Sequence, residues 1–175
     1  MNRSDPLRLA QDVQLAVFDI DGVMTDGKLY FTDSGEQIKA FHVRDGLGLK
    51  ALMNNDIRVA VITARSSDAL QRRMNELGIE RVMQGHQDKA SALAQLLDAE
   101  GLDAAHVCYT GDDLVDWPAM GRCGLKCAPA DADRWIRERA DFVTSLPGGC
   151  GAVREVCELI LDGHGKLDDW RDRYR

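Results

Sequence analysis

Two aspartates, Asp19 and Asp21, stand two residues apart at the end of the apolar run 15–18. On an extended strand alternate side chains share a face, so these two carboxylates point the same way. Gly22 follows, and it permits a sharp backbone turn. Like charges this close require a cation, a shared proton, or both. Thr63, Lys89 and the run Gly111-Asp112-Asp113 with Asp116 complete the set of residues able to do chemistry. Carboxylate oxygens without His or Cys suit Mg²⁺. Thr63 and Lys89 suit a phosphoryl group, one as a hydroxyl donor and the other as a point charge. A carboxylate nucleophile beside an acid/base carboxylate divides phosphoryl transfer into two steps. Singly, each piece has an ordinary reading: a solvated turn, a strand-favouring threonine, a solvated lysine, a helix cap. Their conjunction in this order is what points to catalysis.

Alternating elements must position these groups. Strands are predicted over 15–18, 58–63, 81–84, 106–110, 125–128 and 142–144. Helices are predicted over 45–54, from Ser66 or Ser67 to Leu77, over 88–100, 114–120, 131–140 and 152–161. Residues 28–31 and 37–43 flank the turn-forming segment 32–36 and read as a β-hairpin. Strands separated by helices of this length predict an α/β, three-layer, Rossmann-like parallel sheet with one hairpin insertion after the first strand and no cap domain. In such a sheet the loops at the strands' C-terminal ends share one edge, so Asp19, Asp21, Thr63, Lys89 and Asp112 can converge.

The chain has 175 residues, a length suited to one domain spanning 1–175. Its net charge of −7 argues against a general nucleic-acid binder. No apolar stretch is long enough to span a bilayer, and residues 1–14 lack the apolar core of a secretory signal, so a cytoplasmic protein is the default expectation. The five cysteines are odd in number and irregularly spaced, which reads as free thiols in a reducing compartment rather than a disulfide framework or a metal site.

The run Asp19-Ile20-Asp21-Gly22-Val23-Met24-Thr25-Asp26-Gly27, followed by Thr63, Lys89 and Gly111-Asp112-Asp113…Asp116, resembles the four motifs of the haloacid dehalogenase-like phosphohydrolases. The resemblance covers nearly the whole chain. Within that superfamily, Phe41-His42-Val43-Arg44-Asp45-Gly46, residues 111–120, residues 151–156 and Gly165-Lys166-Leu167 look like the capless 3-deoxy-D-manno-octulosonate 8-phosphate phosphatases. That resemblance implies Mg²⁺-dependent homotetramers of bacterial lipopolysaccharide synthesis. It implies Asp19 as nucleophile and metal ligand, Asp21 as acid/base that offers its main-chain carbonyl to the metal, and Asp112 as the third ligand. Thr63 and Lys89 would hold the phosphoryl oxygens. Asp113 and Asp116 would act one layer out, orienting metal waters or Lys89.

Further expectations follow from the resemblance. Asp21 must be protonated in the first step, a state that burial and carboxylate neighbours would favour. The hairpin at 28–43 would serve as a flap in place of a cap, supported by other subunits. Arg65 and Arg44 would meet the substrate carboxylate, and the tail at 162–175 would bring Lys166 near a neighbouring substrate. Two departures stand out: Ala64 where Gly is common, and Cys150 where many relatives carry Arg, a position that bears on one anion contact and not on the nucleophile or the metal. A nine-carbon sugar-acid 9-phosphate phosphatase is the nearest rival. A non-enzymatic phospho-acceptor domain is a rival of another class, and Asp21 argues against it, because a stable aspartyl phosphate gains nothing from a general acid.

Overall fold

The computed structural model describes residues 5–33 and 37–175. Six strands form one parallel sheet in the order β5-β4-β1-β6-β7-β8. They are β1 (Leu15–Phe18), β4 (Arg58–Ile62), β5 (Arg81–Met83), β6 (Val107–Thr110), β7 (Leu125–Ala128) and β8 (Phe142–Val143). A separate antiparallel pair, β2 (Tyr30–Phe31) and β3 (Gln37–Ile38), is the hairpin. It is shorter than the sequence suggests: the predicted second arm, 37–43, gives way after Ile38, and the turn segment 34–36 lies outside the described residues. Among the described residues no cap domain covers the sheet edge.

Every residue of β1 is buried, as expected for a central parallel strand covered on both faces. The alternation of its side chains builds two cores. Ala16 and Phe18 pack with α2 (Val43–Met53), α3 (Asp68–Leu77) and α7 (Ala152–Gly163). Leu15 and Val17 pack with α4 (Lys89–Glu100), α5 (Trp117–Met120) and α6 (Arg134–Arg137). The three layers are therefore helices, sheet, helices. The chain winds outward from β1 through β4 and β5, then crosses to β6 on the other side. That reversal opens a crevice at the C-terminal ends of β1 and β6.

Two helices were not expected. α1 (Pro6–Ala10) starts with Asp5 accepting from the Leu7 amide and with Pro6 in its first turn. α8 (Leu167–Asp172) lies in the polar tail and is anchored by Trp170, which is buried and carries the Arg154 guanidinium 4.3 Å over its ring.

Candidate active site

Backbone pairing carries each strand end to a common edge. The Asp19 amide donates to Thr110 O at 3.0 Å, the Thr63 amide to Met83 O at 2.9 Å, and the Gly111 amide to Cys127 O at 3.2 Å. After Asp19 the chain doubles back on itself. Ile20 O accepts from the amides of Val23, Met24 and Thr25 and from Thr25 Oγ1. Gly22 makes this turn with φ 92°, and a Cβ there would lie 2.1 Å from Asp112 Oδ2, so only glycine fits. A Cβ on Gly148 would lie 1.9 Å from Gly22 O, and the Gly149 amide donates to Val23 O at 3.0 Å. The loop before α7 therefore packs directly on the turn that follows Asp19. Cys150, next in that loop, is exposed, and the other four thiols are buried and free.

Lys89, the first residue of α4, is buried and reaches Asp19 Oδ1 at 2.9 Å and Asp116 Oδ1 at 2.6 Å. Asp116 is wholly buried. Its Oδ1 also accepts from Tyr109 Oη at 3.2 Å, and its Oδ2 accepts from the amides of Asp112 and Asp113 at 3.2 and 3.3 Å. Both oxygens are thus committed to holding Lys89 and the 111–113 turn. Asp113 is exposed and caps that turn through the Leu114 amide at 2.7 Å. Thr63 is buried, with its hydroxyl accepting from the Arg65 amide at 3.4 Å.

The electrostatics follow from this crowding. Burial first, and then Asp116, push Asp19 up from 3.8 to about 7 despite the pull of Lys89. Burial, Asp116 and Asp19 push Asp112 up to about 8. Burial opposes the charge on Lys89, but the attraction of Asp19 and Asp116 outweighs it and the net shift is upward. Burial likewise raises Tyr109.

One oxygen from each of Asp19, Asp112 and Asp116 can lie within 4.8 Å of the others. The donor set is all oxygen, which fits a hard divalent cation. Asp112, unlike Asp116, receives no hydrogen bond to its carboxylate from the described residues, so it is free to ligate. Asp19 and Asp112 are therefore the fitting side-chain ligands, with Asp116 supporting them.

One expectation is corrected, and two further residues are placed apart from the aspartates of their own chain. Asp21 was expected among carboxylates; its neighbours are instead cations. Lys39 Nζ pairs with its Oδ1, and Arg65 Nε lies 3.8 Å from its Oδ2. Arg44 is exposed on the first turn of α2, where it lines a cavity of about 380 Å³ with Leu146, Gly151, Arg154, Glu155 and Glu158, and among the described residues no ion pair joins it to the aspartates. Lys166 lies at the far end of α7. His164 Nε2 there bonds Val13 O, before the start of β1, so Lys166 sits at the opposite sheet edge from its own chain's site. Lys39 and Tyr109 were missed. Nothing in their local sequence marks them; both act through contacts that only the fold creates.

The family model for haloacid dehalogenase-like hydrolases matches residues 79–147. The 3-deoxy-D-manno-octulosonate 8-phosphate phosphatase of Escherichia coli (strain K12) is 44% identical over 166 residues, 95% of this chain and 88% of that protein. A solved structure of the phosphatase of that name from Moraxella catarrhalis, in complex with magnesium ion, phosphate ion and KDO, aligns with TM-score 0.95 and 39% identity, covering 97% of this chain and 98% of that one. The Yersinia pestis phosphatase structure aligns with TM-score 0.92 and 45% identity over 94% of this chain and 89% of that one.

Proposed function

The chain belongs to the haloacid dehalogenase-like hydrolases as a phosphoric monoester hydrolase, and we propose that its substrate is 3-deoxy-D-manno-octulosonate 8-phosphate, in lipopolysaccharide biosynthesis. The observation that carries this reading is the buried Lys89 bridging Asp19 and Asp116 at the mouth of the sheet, beside Asp112 and Thr63. That cluster supplies a nucleophile, a phosphoryl clamp and a cation site, in a chain that matches such phosphatases along almost its whole length.

Asp19 attacks phosphorus in line. A bond forms between its carboxylate oxygen and phosphorus, and the bond to the sugar oxygen breaks. Asp21 gives its proton to that departing oxygen, releasing the sugar acid. It then takes a proton from the water that attacks the aspartyl phosphate, which restores Asp19 and frees phosphate. Thr63 donates to a phosphoryl oxygen, and Lys89 offsets the charge there. Mg²⁺, held by the carboxylates of Asp19 and Asp112 and the Asp21 carbonyl, supplies neutralisation of the phosphoryl charge. Arg65, half exposed beside Asp21, is placed to meet the substrate's own carboxylate.

No helix among the described residues is long and apolar enough to cross a membrane. The reading extends to a cytoplasmic homotetramer. It is supported by the apolar side chains exposed on the hairpin, Leu29, Tyr30, Phe31 and Ile38, which a neighbouring subunit would cover. Phosphate release from a panel of eight- and nine-carbon sugar-acid phosphates, with Mg²⁺ and with EDTA, tests the assignment. We expect turnover of the eight-carbon substrate, lost with EDTA. Preference for a nine-carbon 9-phosphate would overturn the substrate, and no turnover of any ester would favour a phospho-acceptor domain.

A further inference from the structure

Each aspartate of the pair has its own buried cation. Lys89 serves Asp19, and Lys39 serves Asp21. Lys39 follows β3, where the strand alternation turns Ile38 outward, with 56% of it exposed, and Lys39 inward. Only 6% of the Lys39 side chain is exposed. Among the described residues Lys39 and Arg65 are the only side chains ion-paired with Asp21. They are unequal: Arg65 is half exposed and 3.8 Å away, where water screens it, whereas Lys39 is in hydrogen-bond contact and shielded.

The backbone around Lys39 is pinned on both sides. Tyr30 pairs with Ile38 just before it, and α2 begins four residues later with the His42 ring accepting from the Arg44 amide at 3.3 Å. The other arm of the hairpin lands on the same catalytic loop. The Lys28 amide donates to Asp26 Oδ1 and Tyr30 Oη to Asp26 Oδ2, both at 3.1 Å. The hairpin therefore grips the 19–27 loop at two points, and one of them is the carboxylate assigned as acid/base.

We propose that Lys39 is a positioning residue: from the hairpin it fixes the Asp21 carboxylate in line with the departing sugar oxygen. The role rests on the reading of Asp21 as acid/base given above. It explains how a chain without a cap can still orient its proton donor. A carboxyl group free to rotate would be misplaced by about an ångström, which costs about 100-fold when a proton must pass in the transition state.

The test separates positioning from folding by the leaving group. A sugar alkoxide needs a proton to leave, and p-nitrophenolate does not. Single-turnover rates of leaving-group release are measured with 3-deoxy-D-manno-octulosonate 8-phosphate and with p-nitrophenyl phosphate, for the wild type, Lys39→Met, Lys39→Arg and Asp21→Asn. We expect Lys39→Met to slow release from the sugar phosphate by about 10- to 100-fold, within the range that acid/base assistance supplies, and the p-nitrophenol burst by less than about threefold. Lys39→Arg should recover most of the loss, and KM should change little in either variant. Equal losses on both substrates, or none on either, overturn the positioning role. Leaving-group dependence in Asp21→Asn but not in Lys39→Met overturns that role alone. Its absence in Asp21→Asn overturns the acid/base reading, and the positioning role with it.

Discussion

Adding Mg²⁺ to the metal-free protein should expel protons, in a number fixed by the crowding of Asp19, Asp112 and Asp116. Asp19 is pushed up to about 7 and Asp112 to about 8, chiefly by burial and by Asp116. Below those values both carboxyls hold protons that a divalent ion must displace before it can ligate. Simple titration at these values gives a release of about two protons per ion at pH 6 and about 0.1 at pH 9. Apparent affinity should accordingly weaken about 100-fold for each pH unit lost near pH 6, which is about 2.7 kcal/mol. Stability without the ion must follow the opposite sense. The folded pKa values lie above the unfolded ones, so the native state binds more protons, and stability falls as pH rises from about 4 through 8. Calorimetric titration of chelator-treated protein with MgCl₂, in two buffers of different ionisation heat, counts the protons directly. Release near zero at pH 6 would refute the claim that these carboxyls are held protonated until a cation arrives.

Other perturbations probe the same design. Gly22→Ala places a methyl group 2.1 Å from Asp112 Oδ2 at φ 92°, so Mg²⁺ affinity and turnover should collapse while the circular-dichroism spectrum stays native. Asp116→Ala takes an acceptor from Lys89, Tyr109 and the amides of the 111–113 turn, leaving Lys89 paired with Asp19 alone; chemical denaturation should show a loss of about 3–5 kcal/mol, and Asp116→Asn should lose less stability but still lose activity. Trp170→Ala should cost about 3–5 kcal/mol by the same assay, because the ring is buried between α7 and α8. Lys166→Ala should raise KM, because its place at the far sheet edge of its own chain leaves it to serve a neighbouring subunit's site; unchanged kcat and KM would show that the tail is a passive terminus.

The central strands were readable because burial on both faces leaves an apolar run bounded by turn chemistry, as in β1 and in the Val59–Ile62 part of β4. The candidate site was readable for a related reason: a parallel sheet gathers the residues that follow its strands, so Asp19, Thr63 and Asp112 could be brought to one edge from their positions alone. What escaped depends on single long-range contacts. α8 is polar in composition and is held by one tryptophan under an arginine, a pairing invisible to periodicity. α1 did carry its signal in Asp5 and Pro6, but at five residues it falls below the length that helical periodicity can mark. The setting of Asp21 was misjudged because Lys39 is 18 residues away and reaches it only when the hairpin folds back. Arg44 and Lys166 rest on resemblance alone: α2 and α7 set them apart from the aspartates of their own chain, and the contacts expected of them involve a substrate and a neighbouring subunit.

The central claim is that Asp19 accepts the phosphoryl group. Acid quench of a rapid reaction with ³²P-labelled 3-deoxy-D-manno-octulosonate 8-phosphate, followed by proteolysis and mass spectrometry, reads this directly. A transient acyl phosphate on the peptide containing Asp19, absent in Asp19→Ala together with turnover, is the predicted result. Label on another residue, or hydrolysis that persists in Asp19→Ala, would contradict it.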